Sequence, residues 1–134
     1  MTLVEKAYTF SKEKHEGQFR RDNITPYFSH CEKVALLVES DIEKILAYLH
    51  DTVEDNRCSI EDVQTNFGED VTNYIYKLTH HREDSYEYYI RKFNDMNNKL
   101  VKRVKIADIV ANLTDSPTEK QIDKYYKALV ILST

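Results

Sequence analysis

Six consecutive residues, His50-Asp51-Thr52-Val53-Glu54-Asp55, hold one imidazole and three carboxylates, side chains that bind divalent cations and carry protons. On a helix, where successive side chains turn by about 100°, His50, Asp51, Glu54 and Asp55 share an arc of about 140°. Ile42, Ile45, Leu46, Leu49 and Val53 fill the neighbouring arc. The spacing therefore predicts a helix that buries one flank and holds an acidic, histidine-bearing flank beside the buried edge. Taken alone, such a string is more often a solvated acidic face. Two distant residues change that reading. His30 shares a predicted helix face with Tyr27, Cys31, Val34, Leu37 and Val38, and Asp108 stands amid Val104, Ala107 and Ala111. Burying charge is costly unless it is paired or bound to metal. His30, His50, Asp51 and Asp108 together form a mixed nitrogen and oxygen donor set suited to one borderline or hard divalent ion such as manganese. Such an ion lowers the pKa of its bound water. Glu54 and Asp55, one turn on, are placed to orient that water and pass protons.

The elements that must position these groups read as helices throughout. Thr2 and Glu5 form a capping box for a first helix that runs toward Gly17, and residues 17–26 read as a loop carrying Arg20 and Arg21. A second helix spans Tyr27 to about Glu39. Ser40 and Glu43 cap the central helix, which the pattern ends at Asn56-Arg57-Cys58. Ser59 caps a short helix closed by Gly68, and a helix from about Glu69 carries Val71, Tyr74, Ile75 and Leu78. Residues 79–84 read as a polar loop. Ser85 opens a helix with the stripe Tyr86, Tyr89, Ile90, Phe93 and Met96, and a helix from about Leu100 to Leu113 brings Lys105, Asp108 and Asn112 within an arc of about 60°. Ser116-Pro117-Thr118-Glu119 is predicted as N-cap, N1 proline and N3 glutamate of a last helix that turns Ile122, Tyr125, Tyr126, Leu129 and Leu132 inward. Period-two alternation bounded by turn residues is absent. The expectation is an all-α fold of six to eight helices, without internal repeat.

Composition sets the outer limits. With 134 residues and 41% hydrophobic content, the chain is expected to form a single domain, residues 1–134, with a real core. It shows no signal-peptide pattern and no bilayer-spanning apolar run, so a soluble cytoplasmic protein without a membrane partner is expected. Cys31 and Cys58 lack the spacing of a zinc site or a disulfide framework and read as reduced thiols. A net charge of −4 argues against a nucleic-acid binder. Local Lys and Arg can still receive a small phosphorylated ligand.

Arg20-Arg21 followed by Pro26-Tyr27-Phe28-Ser29-His30, then Ala47 to Asp55, then Phe67-Gly68-Glu69-Asp70-Val71, then Val104-Lys105-Ile106-Ala107-Asp108 with Asn112, resembles the HD-domain phosphohydrolases. Within them the chain most resembles the hydrolase domain of the RelA/SpoT proteins and the stand-alone small alarmone hydrolases of the metazoan SpoT homologue type. The resemblance runs from the first helix to about Leu113. It implies a compact HD-domain helical fold and a manganese-dependent hydrolase. The reaction implied is removal of the 3′-pyrophosphate of guanosine 3′,5′-bispyrophosphate, (p)ppGpp, giving GDP or GTP and pyrophosphate. Carried over by position, His30, His50, Asp51 and Asp108 are metal ligands and Glu54 and Asp55 are the catalytic pair. Arg20 lies near base or phosphates and Asn112 touches the nucleotide. On chemical grounds Arg21 and Lys105 suit the phosphates, and Tyr125 can stack on or hydrogen-bond the nucleotide.

The RelA/SpoT pattern has arginine two residues after the asparagine, where this chain has Thr114 followed by Asp115. That departure keeps open an HD phosphohydrolase for another nucleotide, such as an adenosine alarmone, (p)ppApp, or a nucleoside monophosphate. A catalytically silent nucleotide-binding module is the third reading; the intact ligand and acid set speaks against it. His80 and His81 are candidate ligands for a second metal, but adjacent histidines in a polar loop are more often solvent-exposed. The ten tyrosines read by default as packing residues, and the sequence does not give the oligomeric state.

Overall fold

The computed structural model describes residues 1–134 as eight α-helices: α1 Leu3–Lys14, α2 Phe28–Leu36, α3 Asp41–Leu49, α4 Ile60–Phe67, α5 Glu69–Leu78, α6 Tyr86–Lys92, α7 Leu100–Leu113 and α8 Glu119–Leu132. A 3₁₀ turn, Phe93–Asp95, extends α6. There is no strand, only one isolated antiparallel bridge between Phe19 and Pro26. The all-α expectation, at the upper end of its helix count, is what the fold shows.

Local chemistry sets most helix starts. At α1, α3 and α4 the cap hydroxyls of Thr2, Ser40 and Ser59 accept from the N3 amides of Glu5, Glu43 and Asp62, whose carboxylates return a bond to the cap amide. Each such cap stabilises its helix by about 1 kcal/mol. Gly68 sits between α4 and α5 at φ +89°, a conformation that L side chains rarely adopt, so the chain turns there without strain.

α3 lies at the centre, packed on α1, α2, α5 and α7, while α8 closes over α6 and α7. Its apolar side buries Ile45, Leu46 and Leu49 in a core shared with Val63, Phe67, Val71, Ile75, Tyr89, Phe93, Val101 and Val104. Truncating a fully buried leucine such as Leu46 would cost roughly 2–5 kcal/mol. α2 and α7 pack around Ala47 of α3 and bring His30 and Asp108 to His50 and Asp51 at its end.

Three boundaries differ from expectation. The central helix stops at Leu49, and His50 to Asn56 continue as successive turns rather than helix. The Thr52 hydroxyl donates to the Leu49 carbonyl at 2.8 Å, taking a helix acceptor for a side chain. Asp55 N–H still reaches the Asp51 carbonyl at 2.9 Å, so one helical turn survives and keeps the acidic residues together. α2 ends at Leu36, leaving Leu37 half exposed. At the last helix the cap is Thr118, boxed with Gln121, not Ser116, which takes a positive φ of 47° in the preceding turn. Of the stripe expected inward, Tyr125, Leu129 and Leu132 pack on the core with Ala128, whereas Ile122 and Tyr126 are 47% and 66% exposed.

Candidate active site

His30 comes from α2, His50 and Asp51 from the end of α3, and Asp108 from the middle of α7. All four are buried, the least so 9% exposed. One donor atom from each lies within 4.8 Å of the others, so the structure brings together the whole predicted ligand set. His30 Nε2 hydrogen-bonds Asp108 Oδ1 at 2.8 Å. His50 Nδ1–H donates to the Ala47 carbonyl at 2.6 Å, which fixes its tautomer and turns the Nε2 lone pair toward the carboxylates. Nε2 stands 2.9 Å from Asp51 Oδ2 and 3.2 Å from Asp108 Oδ1. It is nevertheless a buried nitrogen without a hydrogen-bond partner, because neither approach has hydrogen-bond geometry. A lone pair facing two carboxylates is repulsive unless a proton or a cation lies between them. The donor set thus fits a divalent cation, and His50 is the residue that most needs one.

The charges report the same need. Burial alone would push the His50 pKa down, but Asp51 and Asp108 overturn that and hold it well above the ordinary imidazole value. Burial would likewise raise Asp108, yet Lys105 and His50 hold it well below the carboxylate range. Lys105 Nζ donates to Asp108 Oδ2 at 2.9 Å, Asn112 to Oδ1 at 3.3 Å, and the Tyr27 hydroxyl donates to Asp51. These outer contacts orient the carboxylates that face the cluster.

Glu54 and Asp55 rise beside Asp51, and the three carboxylates form a second tight acidic group. Each of the pair is held by one partner from another part of the chain. The His80 backbone N–H donates to Glu54 Oε1 at 2.7 Å, and the Gln18 amide donates to Asp55 Oδ2 at 3.0 Å. Burial first, and then the Asp51 charge, raise both pKa values from their ordinary values. The Glu54 side chain remains open to solvent, and screening limits its shift.

Above these residues opens a cleft of about 240 Å³ whose walls include Arg20, Arg21, Lys105, Asn112 and Tyr125. All five predicted nucleotide contacts therefore face it, though most already have partners. Arg20 pairs with Asp115 at 2.7 Å and Asn112 at 3.0 Å, Arg21 donates to Gln121 and to the Asp115 carbonyl, and Lys105 is tied to Asp108. Asp115, which follows the Thr114 that stands where the family pattern has arginine, is thus a partner of the entry loop. Lys124 also lines the cleft, 4.2 Å over the Tyr86 ring and without a carboxylate partner. Sequence reading missed it, although its spacing from Gln121 and Tyr125 on α8 places all three on one helix side. It also missed Tyr27, Tyr86 and Tyr89, which the default of packing tyrosines hid. His80 and His81 do not join the ligand cluster: the His80 ring donates to the Asp84 carbonyl at 2.7 Å and stacks on Tyr89, and the His81 ring contacts the Tyr76 carbonyl.

The family model described as an HD domain matches residues 7–130. The chain is 32% identical to guanosine-3′,5′-bis(diphosphate) 3′-pyrophosphohydrolase MESH1 of Xenopus tropicalis, over 93% of this chain and 79% of that protein. It is 36% identical to the protein of the same name from Drosophila melanogaster, over 84% of this chain and 73% of that one. A solved structure of a metazoan ortholog of SpoT that hydrolyzes ppGpp superposes with a TM-score of 0.80 at 25% identity, covering 98% of this chain and 84% of that one.

Proposed function

The chain belongs to the HD-domain family, and from that premise we propose that residues 1–134 form one hydrolase domain that removes the 3′-pyrophosphate from guanosine 3′,5′-bispyrophosphate. The products are pyrophosphate and GDP, or GTP where the substrate is the pentaphosphate, pppGpp. The observation that carries the reading is the convergence of His30, His50, Asp51 and Asp108 beneath a cleft with Arg20, Arg21, Lys105 and Lys124 in its walls.

His30, His50, Asp51 and Asp108 would hold one divalent ion, with manganese favoured by the mixed donor set. Bound there, the ion would supply Lewis acidity toward a phosphoryl oxygen and toward water. Glu54 and Asp55 take the proton of the attacking water. Their raised pKa values bring them nearer to neutrality, where a carboxylate accepts and returns protons most effectively. A P–O bond forms to the water oxygen as the bond from phosphorus to the 3′-oxygen breaks. The proton released on attack is then available for the departing 3′-oxygen, so the nucleoside leaves with a 3′-hydroxyl. Lys124 and the two entry-loop arginines face the phosphates, with Asn112 and Tyr125 beside the nucleoside. An incoming polyphosphate competes with Asp115 for Arg20, so recognition exchanges one anion for another.

The test is a substrate panel. Purified protein with Mn²⁺ is offered guanosine and adenosine 3′,5′-polyphosphates and ordinary nucleoside monophosphates, and the products are separated by chromatography. Pyrophosphate release from ppGpp with GDP as co-product is expected. No release from ppGpp, or turnover of the monophosphates alone, would overturn the reading.

A further inference from the structure

The turn that follows α1 makes a contact with the acid pair that no ligand or phosphate role explains. His15 caps α1 and is 2% exposed. Gly17, at φ +81°, swings the chain back at once, and Gln18 follows. The backbone of Gln18 is pinned on both sides: its N–H donates to the His15 carbonyl at 3.0 Å and its carbonyl accepts from Tyr27 N–H at 2.8 Å. The side chain then bridges two charged or ionisable groups. Oε1 lies 2.7 Å from His15 Nδ1, and Nε2 donates to Asp55 Oδ2 at 3.0 Å.

Only one amide orientation satisfies both ends. An ionised carboxylate only accepts, so the NH₂ must face Asp55, and Oε1 must then accept from an Nδ1–H of His15. That assignment also fixes His15 as the neutral Nδ1–H tautomer. Its Nε2, buried without any partner, carries a lone pair, which is tolerable; a proton there would be a stranded donor. Burial pushes the His15 pKa down in the same sense. No other side chain hydrogen-bonds Asp55. With Asp51 close by, an Asp55 released from Gln18 would be free to rotate away from a like charge.

We propose that Gln18, oriented by His15, is a positioning residue for the reaction: its amide holds the Asp55 carboxylate in the rotamer that meets the attacking water. This rests on the assignment of Asp55 to the proton-handling pair. An amide suits the task because it donates at every working pH and never titrates. His15 adds direction, since an unsupported glutamine can flip and present its oxygen to the carboxylate.

The test is a double-mutant cycle with three readouts: kcat, KM for ppGpp, and Mn²⁺ content of the protein. Gln18→Leu is expected to lower kcat at least tenfold, with KM changed less than twofold and one Mn²⁺ retained. In an Asp55→Asn background the same substitution is expected to lower kcat less than twofold, because there is no carboxylate left to position. His15→Phe should reproduce most of the loss. His15→Asn, whose amide N–H stands where Nδ1–H stood, should restore kcat to within about threefold of wild type, and this pair carries the test if Gln18→Leu fails to fold. Equal losses from Gln18→Leu in the wild-type and Asp55→Asn backgrounds, or equal kcat for His15→Phe and His15→Asn, would overturn the inference. A fully active Asp55→Asn enzyme would instead remove the assignment beneath it, whatever Gln18 does.

Discussion

His30, His50, Asp51 and Asp108 are buried, on or directly after three helices that pack against one another, whereas Arg20, Arg21, Lys124 and Tyr125 stand on a loop and on the last helix at the rim of the cleft. The floor is over-determined. Ala47, Tyr27, Lys105 and Asn112 each fix one of its donors, and only His50 Nε2 is left without a partner. The rim is held by exchangeable contacts, such as Arg20 with Asp115, that a phosphate can replace. The difference separates chemistry from recognition: changes to the floor should abolish the reaction, while changes to the rim should retune affinity. Glu54 and Asp55 lie between the two, buried enough to shift their pKa values yet reachable from the cleft.

Substitutions can break this contrast in order of size. Asp51→Ala is expected to abolish metal binding and lower turnover on the order of 10³-fold or more, because several kcal/mol of charge stabilisation leave with the ion. Metal analysis of the purified variant and a pyrophosphate-release assay check it. Glu54→Gln should lower kcat by about 10²-fold, the lower range for a lost proton carrier since Asp55 remains, while metal content is unchanged. Full activity in Glu54→Gln would remove it from the pair. Lys124→Gln should raise KM by about tenfold with kcat little altered, as expected for a charge-assisted phosphate contact at the rim. Steady-state kinetics at two ionic strengths would show the wild-type KM rising with salt more steeply than the variant's.

The smallest effect is in pH. His50 in the metal-free chain has a pKa well above its unfolded value, so its proton must leave when a cation enters. Metal affinity should therefore fall as pH falls, by about tenfold per unit below that pKa. The same raised pKa stabilises the metal-free fold fully below the unfolded imidazole value, and this contribution is lost as pH rises through the folded value. Metal-free Tm should thus drop with rising pH over that interval while metal-loaded Tm does not. Thermal melts of both forms across the range would decide it.

Much of this division was legible in the sequence, for a physical reason. Floor residues betray themselves because a charge at an apolar helix position, as Asp108 among Val104, Ala107 and Ala111, breaks a pattern that periodicity makes visible. Capping boxes at Thr2 and Ser40 were equally plain. The misses share a cause. Thr52 ends α3 by a side-chain bond that competes with the helix ladder, a choice that propensity does not settle. Thr118 rather than Ser116 caps α8, and both are hydroxyls with an acid or amide three residues on, so local chemistry allowed either. Lys124 and Gln18 act through contacts made only when α8 or the loop after Gly17 folds over the cleft. A charged or amide side chain in a loop or on an outer helix face carries no periodic signal of that.

The division of labour between floor and acid pair is tested most directly by titrating metal-free protein with Mn²⁺ and following ion binding by calorimetry and pyrophosphate release from ppGpp in the same samples. Binding should saturate at one ion per chain, with turnover rising in proportion to occupancy, and Glu54→Gln should give the same binding curve with turnover about 10²-fold lower. Undiminished turnover by chelator-treated protein, or a Glu54→Gln binding curve that collapses together with its activity, would contradict it.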